Sequence, residues 1–154
     1  MELGLFDEVA DALLGVVPVE LGPCRRRARP YGIKVWFGPV RPPREHYEAQ
    51  VIGPEDVDDA TVLAVEVGFH AEHPRLLDNE RLIDHLLRAE RSWRTELGDE
   101  AVAGPFLGRR EDWRRVSETW PDPDLSDQDL GVAIALRLVD YVTALEPLRR
   151  QRSA

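Results

Sequence analysis

Three stretches of this chain alternate apolar and polar residues with period two: residues 31–38 (YGIKVWFG), 45–52 (EHYEAQVI) and 61–70 (TVLAVEVGFH). Successive side chains of a β-strand point to opposite faces, so this period divides each stretch between two surfaces. Tyr31, Ile33, Val35 and Phe37 fall on one face with Tyr47, Ala49, Val51, Leu63, Val65, Val67 and Phe69. Lys34, Trp36, His46, Glu48, Gln50, Glu66, Gly68 and His70 fall on the other, with Val62 and Ala64 at one end. The first two stretches flank a Pro/Gly-rich loop, GPVRPPR, that cannot continue a ladder. Folding them into a hairpin sets Val35 opposite Tyr47, Lys34 opposite Glu48 and Trp36 opposite His46, so apolar meets apolar and polar meets polar. The apolar face must then be covered by helices.

Period 3.6 supplies the helices. Residues 2–17 place Leu5, Val9, Ala12, Leu13 and Val16 on one side, with Glu2, Asp7 and Glu8 at the end where a helix dipole favours acids. The run LLDNERLIDHLLRAERSWRTELG reads as one long helix with a stripe of Leu82, Leu86, Ala89, Trp93 and Leu97, closed by Gly98. Ser126 and Asp129 form an S-x-x-D start signal for a last helix. Its stripe is Leu130, Ile134, Leu138, Tyr141, Leu145 and Leu148, and Val132, Leu136 and Val139 load a second side. Arg149, Arg150 and Arg152 make a frayed basic tail. Residues 18–30, with Arg25, Arg26, Arg27 and Arg29, read as a connector. Residues 113–120 (WRRVSETW) offer a fourth strand, and AVAGPFLGRR before them is either extended or a loop. The expectation is a single α+β domain over 1–154. It has an antiparallel three- to four-stranded sheet with helices packed mainly on one face, in the order α-β-β-β-α-(β)-α.

Composition narrows the partners. Net charge is −9, which repels nucleic acid and anionic membranes, so neither is an expected partner. Lys34 is the only lysine. The lone Cys24 excludes an internal disulfide and a cysteine-based zinc site, which fits a cytoplasmic setting. The N-terminal stretch is acidic where a secretion signal is basic, and no apolar run approaches the ~18 residues of a membrane span.

The polar sheet face is the best collection of chemistry-bearing groups. Lys34, Trp36, His46, Glu48, Gln50, Glu66 and His70 could act in acid–base or metal chemistry, but a solvated outer face laced with cross-strand ion pairs would look the same. His70 and His73 with Glu72 between them (HAEH) lack the helical spacing of an H-E-x-x-H zinc motif, and Pro74 follows at once. The acidic turn GPEDVDDA lacks the spaced ligands of a calcium loop. No metal and no cofactor are expected from these patterns, and no phosphate loop or nucleophile elbow is present.

The α-β-β-β-α-β order, with LLDNERLIDHLLRAERSWRTELG, WRRVSETW and a closing helix over 60–148, resembles the core of the restriction-endonuclease-like fold. It also resembles small bacterial domains of unknown function assigned to that fold. The resemblance implies a magnesium-holding triad of the E-x-K type, with Glu48 or Asp59 as the first acid and Glu66 as the second. Gly68 stands where that triad has lysine, so Lys34 from another strand would replace it, and the implied chemistry is lost or displaced. The preferred function is a non-enzymatic cytoplasmic domain with no catalytic residues, acting through a protein partner, with a second copy docked on its last helix as one such partner. The alternatives are a metal-dependent nuclease-like enzyme using Glu48, Glu66 and Lys34, and a small-ligand domain using Trp36, His46, Gln50 and His70.

Overall fold

The computed structural model describes residues 4–153. Glu2, read above into the first helix, lies outside the described residues. Six strands form one antiparallel sheet in the order β1-β2-β3-β4-β6-β5: β1 Cys24–Arg29, β2 Gly32–Phe37, β3 Glu45–Ile52, β4 Ala64–Ala71, β5 Val102–Pro105 and β6 Arg114–Pro121. The helices are α1 Leu5–Leu13, α2 Leu76–Leu87, α3 Glu90–Leu97 and α4 Leu130–Ser153. The α+β class and the antiparallel sheet are as the alternation implied; the strand count is larger. Among the described residues, no helix is long and apolar enough to cross a membrane.

The hairpin register follows the parity argument. Val35 pairs with Tyr47 and Lys34 with Glu48, while Trp36 and His46 lie just past the end of that ladder. Val35, Tyr47, Val65, Val67, Phe69 and Val116 are buried in one core with residues of all four helices. The expected orientation of the third stretch therefore holds: Val65 and Val67 are sealed on the helix side.

Three elements depart from expectation, each for a local reason. The arginine-rich connector is a strand: β1 pairs with β2 from Cys24↔Phe37 to Arg29↔Gly32. An edge strand lets guanidinium heads reach water while its backbone bonds are satisfied, so it needs no apolar alternation. The long helix is two helices. Ala89 leaves helical geometry (φ −106°, ψ 19°), and the Leu86 carbonyl accepts the buried Trp93 indole N–H at 2.8 Å. A buried indole needs an acceptor, and the break supplies one. Finally, α4 starts after Ser126, whose hydroxyl is spent on Asp124 at 2.6 Å. Its C-terminal arginines are engaged: Arg149 and Arg150 clamp the buried Glu146, which also accepts from the Tyr47 hydroxyl at 3.0 Å. Along α4, Ile134, Leu138, Tyr141 and Leu145 are buried, whereas Val132 and Leu136 remain about half exposed.

Candidate metal centre

The sheet face away from the helices is not an open, solvated surface. Glu66, His70 and Ser117 are fully buried, and His46 and Glu48 nearly so. Loops rather than helices close this face. The Phe106 ring packs edge-on against His70 with centroids 4.6 Å apart, and Trp113 packs against Phe106 at 5.2 Å. From the other side, the loop before β3 brings the Pro43 carbonyl to His46.

Strand register gathers the polar side chains. His46 on β3 and His70 on β4 are direct cross-strand partners. Glu48 and Glu72 each follow a histidine by two residues and so rise from the same face. The Glu72 amide donates to Arg44 O at 2.8 Å, which extends the pairing past the end of β4. One donor atom from each of His46, Glu48, His70 and Glu72 lies within 4.8 Å of all the others. The contacts alternate between imidazole and carboxylate. His46 Nε2 lies 2.9 Å from Glu48 Oε1 and 3.4 Å from Glu72 Oε2, and His70 Nδ1 lies 3.2 Å from each of the same two oxygens.

The opposite nitrogen of each ring is anchored. His46 Nδ1 donates to Pro43 O at 3.0 Å, and His70 Nε2 donates to Glu66 Oε2 at 2.9 Å. Glu66 is itself fixed by Gln50 at 2.8 Å and by the Ser117 hydroxyl at 2.7 Å, and Ser117 in turn accepts from Arg115. The outer oxygens of the two carboxylates face cations at longer range: Arg29 Nη2 is 3.7 Å from Glu48 Oε2, and Lys34 Nζ is 3.9 Å from Glu72 Oε1.

These contacts set the protonation states. Burial pulls the His46 and His70 imidazoles down, but the carboxylates around them outweigh it, so His46 ends raised and His70 well above its ordinary value. Burial likewise pushes the carboxyls up, and the two imidazoles more than reverse it. Glu48 is held far below the usual carboxylate range and Glu72 is lowered to about 2. Glu66 is lowered mainly by His70, with help from Gln50 and Ser117. Without a metal, both rings therefore hold a proton more firmly than a free histidine does, in a ring of carboxylates.

The donor set fits a first-row divalent ion. Metal–ligand distances of about 2.0–2.2 Å imply donor–donor edges of about 2.9–3.5 Å in tetrahedral or tetragonal geometry. The four imidazole–carboxylate separations run from 2.9 to 3.4 Å, and all four donor atoms lie within 4.8 Å of one another. Two imidazoles with two carboxylates suit zinc, manganese, iron or cobalt better than magnesium or calcium, which favour oxygen alone.

Of the residues singled out from sequence, His46, Glu48, Gln50, Glu66 and His70 come together here. Trp36 is buried, and its indole N–H is spent on Pro39 O at 2.7 Å. Asp59 lies in a loop beside Asp56 and Leu107, not among the metal donors. Glu72 was missed as a site residue. The signal was present as H-x-E twice, His46-Tyr47-Glu48 and His70-Ala71-Glu72, on strands that pair histidine to histidine.

Neither a protein-family model, nor a curated protein, nor a solved structure matches this chain.

Proposed function

We propose that this protein is a metal-binding domain holding one divalent transition-metal ion through His46 Nε2, Glu48, His70 Nδ1 and Glu72. The observation that carries the reading is the pair of anchored imidazoles. Each ring's remote nitrogen donates to a fixed acceptor, so the nitrogen facing Glu48 and Glu72 is the one that would give up its proton and turn its lone pair to an ion. Protein metal sites orient their histidines in this way. The bound ion would supply Lewis acidity to a ligand at its free positions. The chain's own residues orient the donors, keep Glu48 and Glu72 ionised and limit access of water through Phe106, Trp113 and Trp36.

The nuclease-like alternative shares this face. Lys34 and Glu48 are cross-strand partners, which favours it, but Gly68 leaves no room for a side chain. A partner-binding role through α4 has the exposed Val132 and Leu136 in its favour. It would show as self-association in sedimentation that Leu136→Glu abolishes, and a monomer at all concentrations would remove it.

The test is metal uptake. Chelator-stripped protein is equilibrated with zinc, manganese or cobalt and assayed by elemental analysis and competition with a chromophoric chelator. About one ion per chain is expected for the wild type, with loss in Glu72→Gln and His70→Ala. Wild-type protein that retains no ion, or variants that retain it equally well, would refute the reading.

A further inference from the structure

We propose that the metal centre binds a small organic oxyanion, a carboxylate or a phosphate monoester, between the ion and a cationic rim of Arg27, Arg29 and Lys34. The inference rests on the metal reading and adds the class of ligand. Register builds the rim. Arg27 pairs with Lys34 and Lys34 with Glu48, so three charged side chains stand in one row across β1, β2 and β3 on the face of the metal donors. The next row runs from Arg29 through Gly32 to Gln50, the residue that holds Glu66.

The rim cations are held only by long ion pairs or by none. Arg29 and Lys34 approach the outer oxygens of Glu48 and Glu72 only to 3.7 and 3.9 Å, beyond hydrogen-bond range, and no side-chain partner of Arg27 occurs among the described residues. The outer carboxylate oxygens hold these cations only at long range, so an oxyanion can displace them with shorter hydrogen bonds. Guanidinium forks suit carboxylate and phosphate oxygens, and Lys34 adds a point charge.

The organic part of the ligand has a place at one end of the rim: Arg29, Tyr31, Gly32 and Gln50 line a hollow of about 340 Å³, which the metal donors themselves do not line. That volume lies at the small end of organic-ligand sites and exceeds what an inorganic ion needs. The chain's net charge of −9 disfavours a nucleic-acid polyanion, so a small molecule is the occupant the charge balance favours.

Cobalt-loaded full-length protein tests this. Its visible bands are titrated with acetate, inorganic phosphate and glycerol 3-phosphate, and the Arg29→Gln/Lys34→Gln double variant is treated in parallel. A saturable spectral change with at least one oxyanion is expected, weakened about tenfold or more in the double variant, with cobalt affinity falling less than anion affinity. Acetate or phosphate as the stronger ligand tells which oxyanion is taken, and tighter binding of glycerol 3-phosphate than phosphate supports an organic ligand in the hollow. Inorganic phosphate binding as tightly as glycerol 3-phosphate, with acetate weaker, overturns the organic part. No spectral response, or an unaltered response in the double variant, overturns the proposal while leaving the metal reading standing. Failure of the wild type to take up cobalt overturns both.

Discussion

Metal binding at this site should expel two protons, and the structure says which ones. His46 Nε2 and His70 Nδ1 each hold a proton directed at Glu48 and Glu72, and these are the nitrogens the ion needs. Glu48 and Glu72 are already ionised at neutral pH, so they release none. One divalent ion replaces two imidazolium charges, and the charge of the buried cluster is conserved. Below the raised histidine values, the apparent association constant should therefore climb by up to about 100-fold per pH unit, or about 2.7 kcal/mol, and flatten above them. Calorimetric titration with zinc in buffers of different ionisation enthalpy counts the protons directly. Glu66→Gln sharpens the test. It removes the carboxylate that raises His70, so proton release at a given pH should fall. It also weakens the anchoring of the ring, so the plateau affinity should drop by about 10–100-fold. Binding with no proton release in any buffer, or a pH-independent affinity, would refute the assignment of these two nitrogens.

Three further outcomes follow from the same contacts. The metal-free protein gains stability from raised histidines and lowered carboxylates. The histidine contribution is full below their unfolded value near 6.5 and is lost as pH rises through the folded values. The carboxylate contribution is full above about 4.5 and is lost as pH falls toward the lowered values, about 2 for Glu72. Thermal melts of chelator-treated protein should thus peak between those limits and decline on the alkaline side, and added zinc should remove the alkaline decline. Gly68→Ala should cost about 3 kcal/mol in urea unfolding, because a Cβ there would meet Val116 O and lie 2.5 Å from Ser117 Cα, both backbone atoms of β6. Glu146→Ala leaves the buried Tyr47 hydroxyl without its acceptor and removes one carboxylate partner from Arg149 and Arg150, which keep Glu45 and Leu21 O, and unfolding should become easier by about 1–3 kcal/mol.

The legible part of the chain was the part ruled by a single periodicity. Val35, Tyr47 and Val65 alternate with polar residues against a helix-covered face, and their placement and the β2–β3 register could be written down in advance. β1 was not legible, because Arg25, Arg26 and Arg27 carry no apolar signal and an edge strand needs none. The Arg88–Ala89 break was invisible for a different reason. The stripe Leu82, Leu86, Trp93, Leu97 continues across it, and only the demand of a buried indole for an acceptor marks the spot. On the polar face, alternation grouped His46, Glu48, Glu66 and His70 correctly, but it could not tell a wet surface from a covered one. That depended on Phe106 and Trp113, which lie in a segment with no clear period. Glu72 carries no signal of its own, because HAEH lacks the spacing of a helical zinc motif and its meaning lies in the strand pairing of His70 with His46.

The most direct measurement is anomalous diffraction from crystals grown with zinc or cobalt. The expected result is a single strong peak on the loop-covered face of the sheet, about 2.0–2.2 Å from His46 Nε2, His70 Nδ1 and one oxygen each of Glu48 and Glu72. A peak held instead by His73 and Glu45, or no peak in crystals soaked at millimolar metal, would contradict the assignment of this cluster as a metal centre.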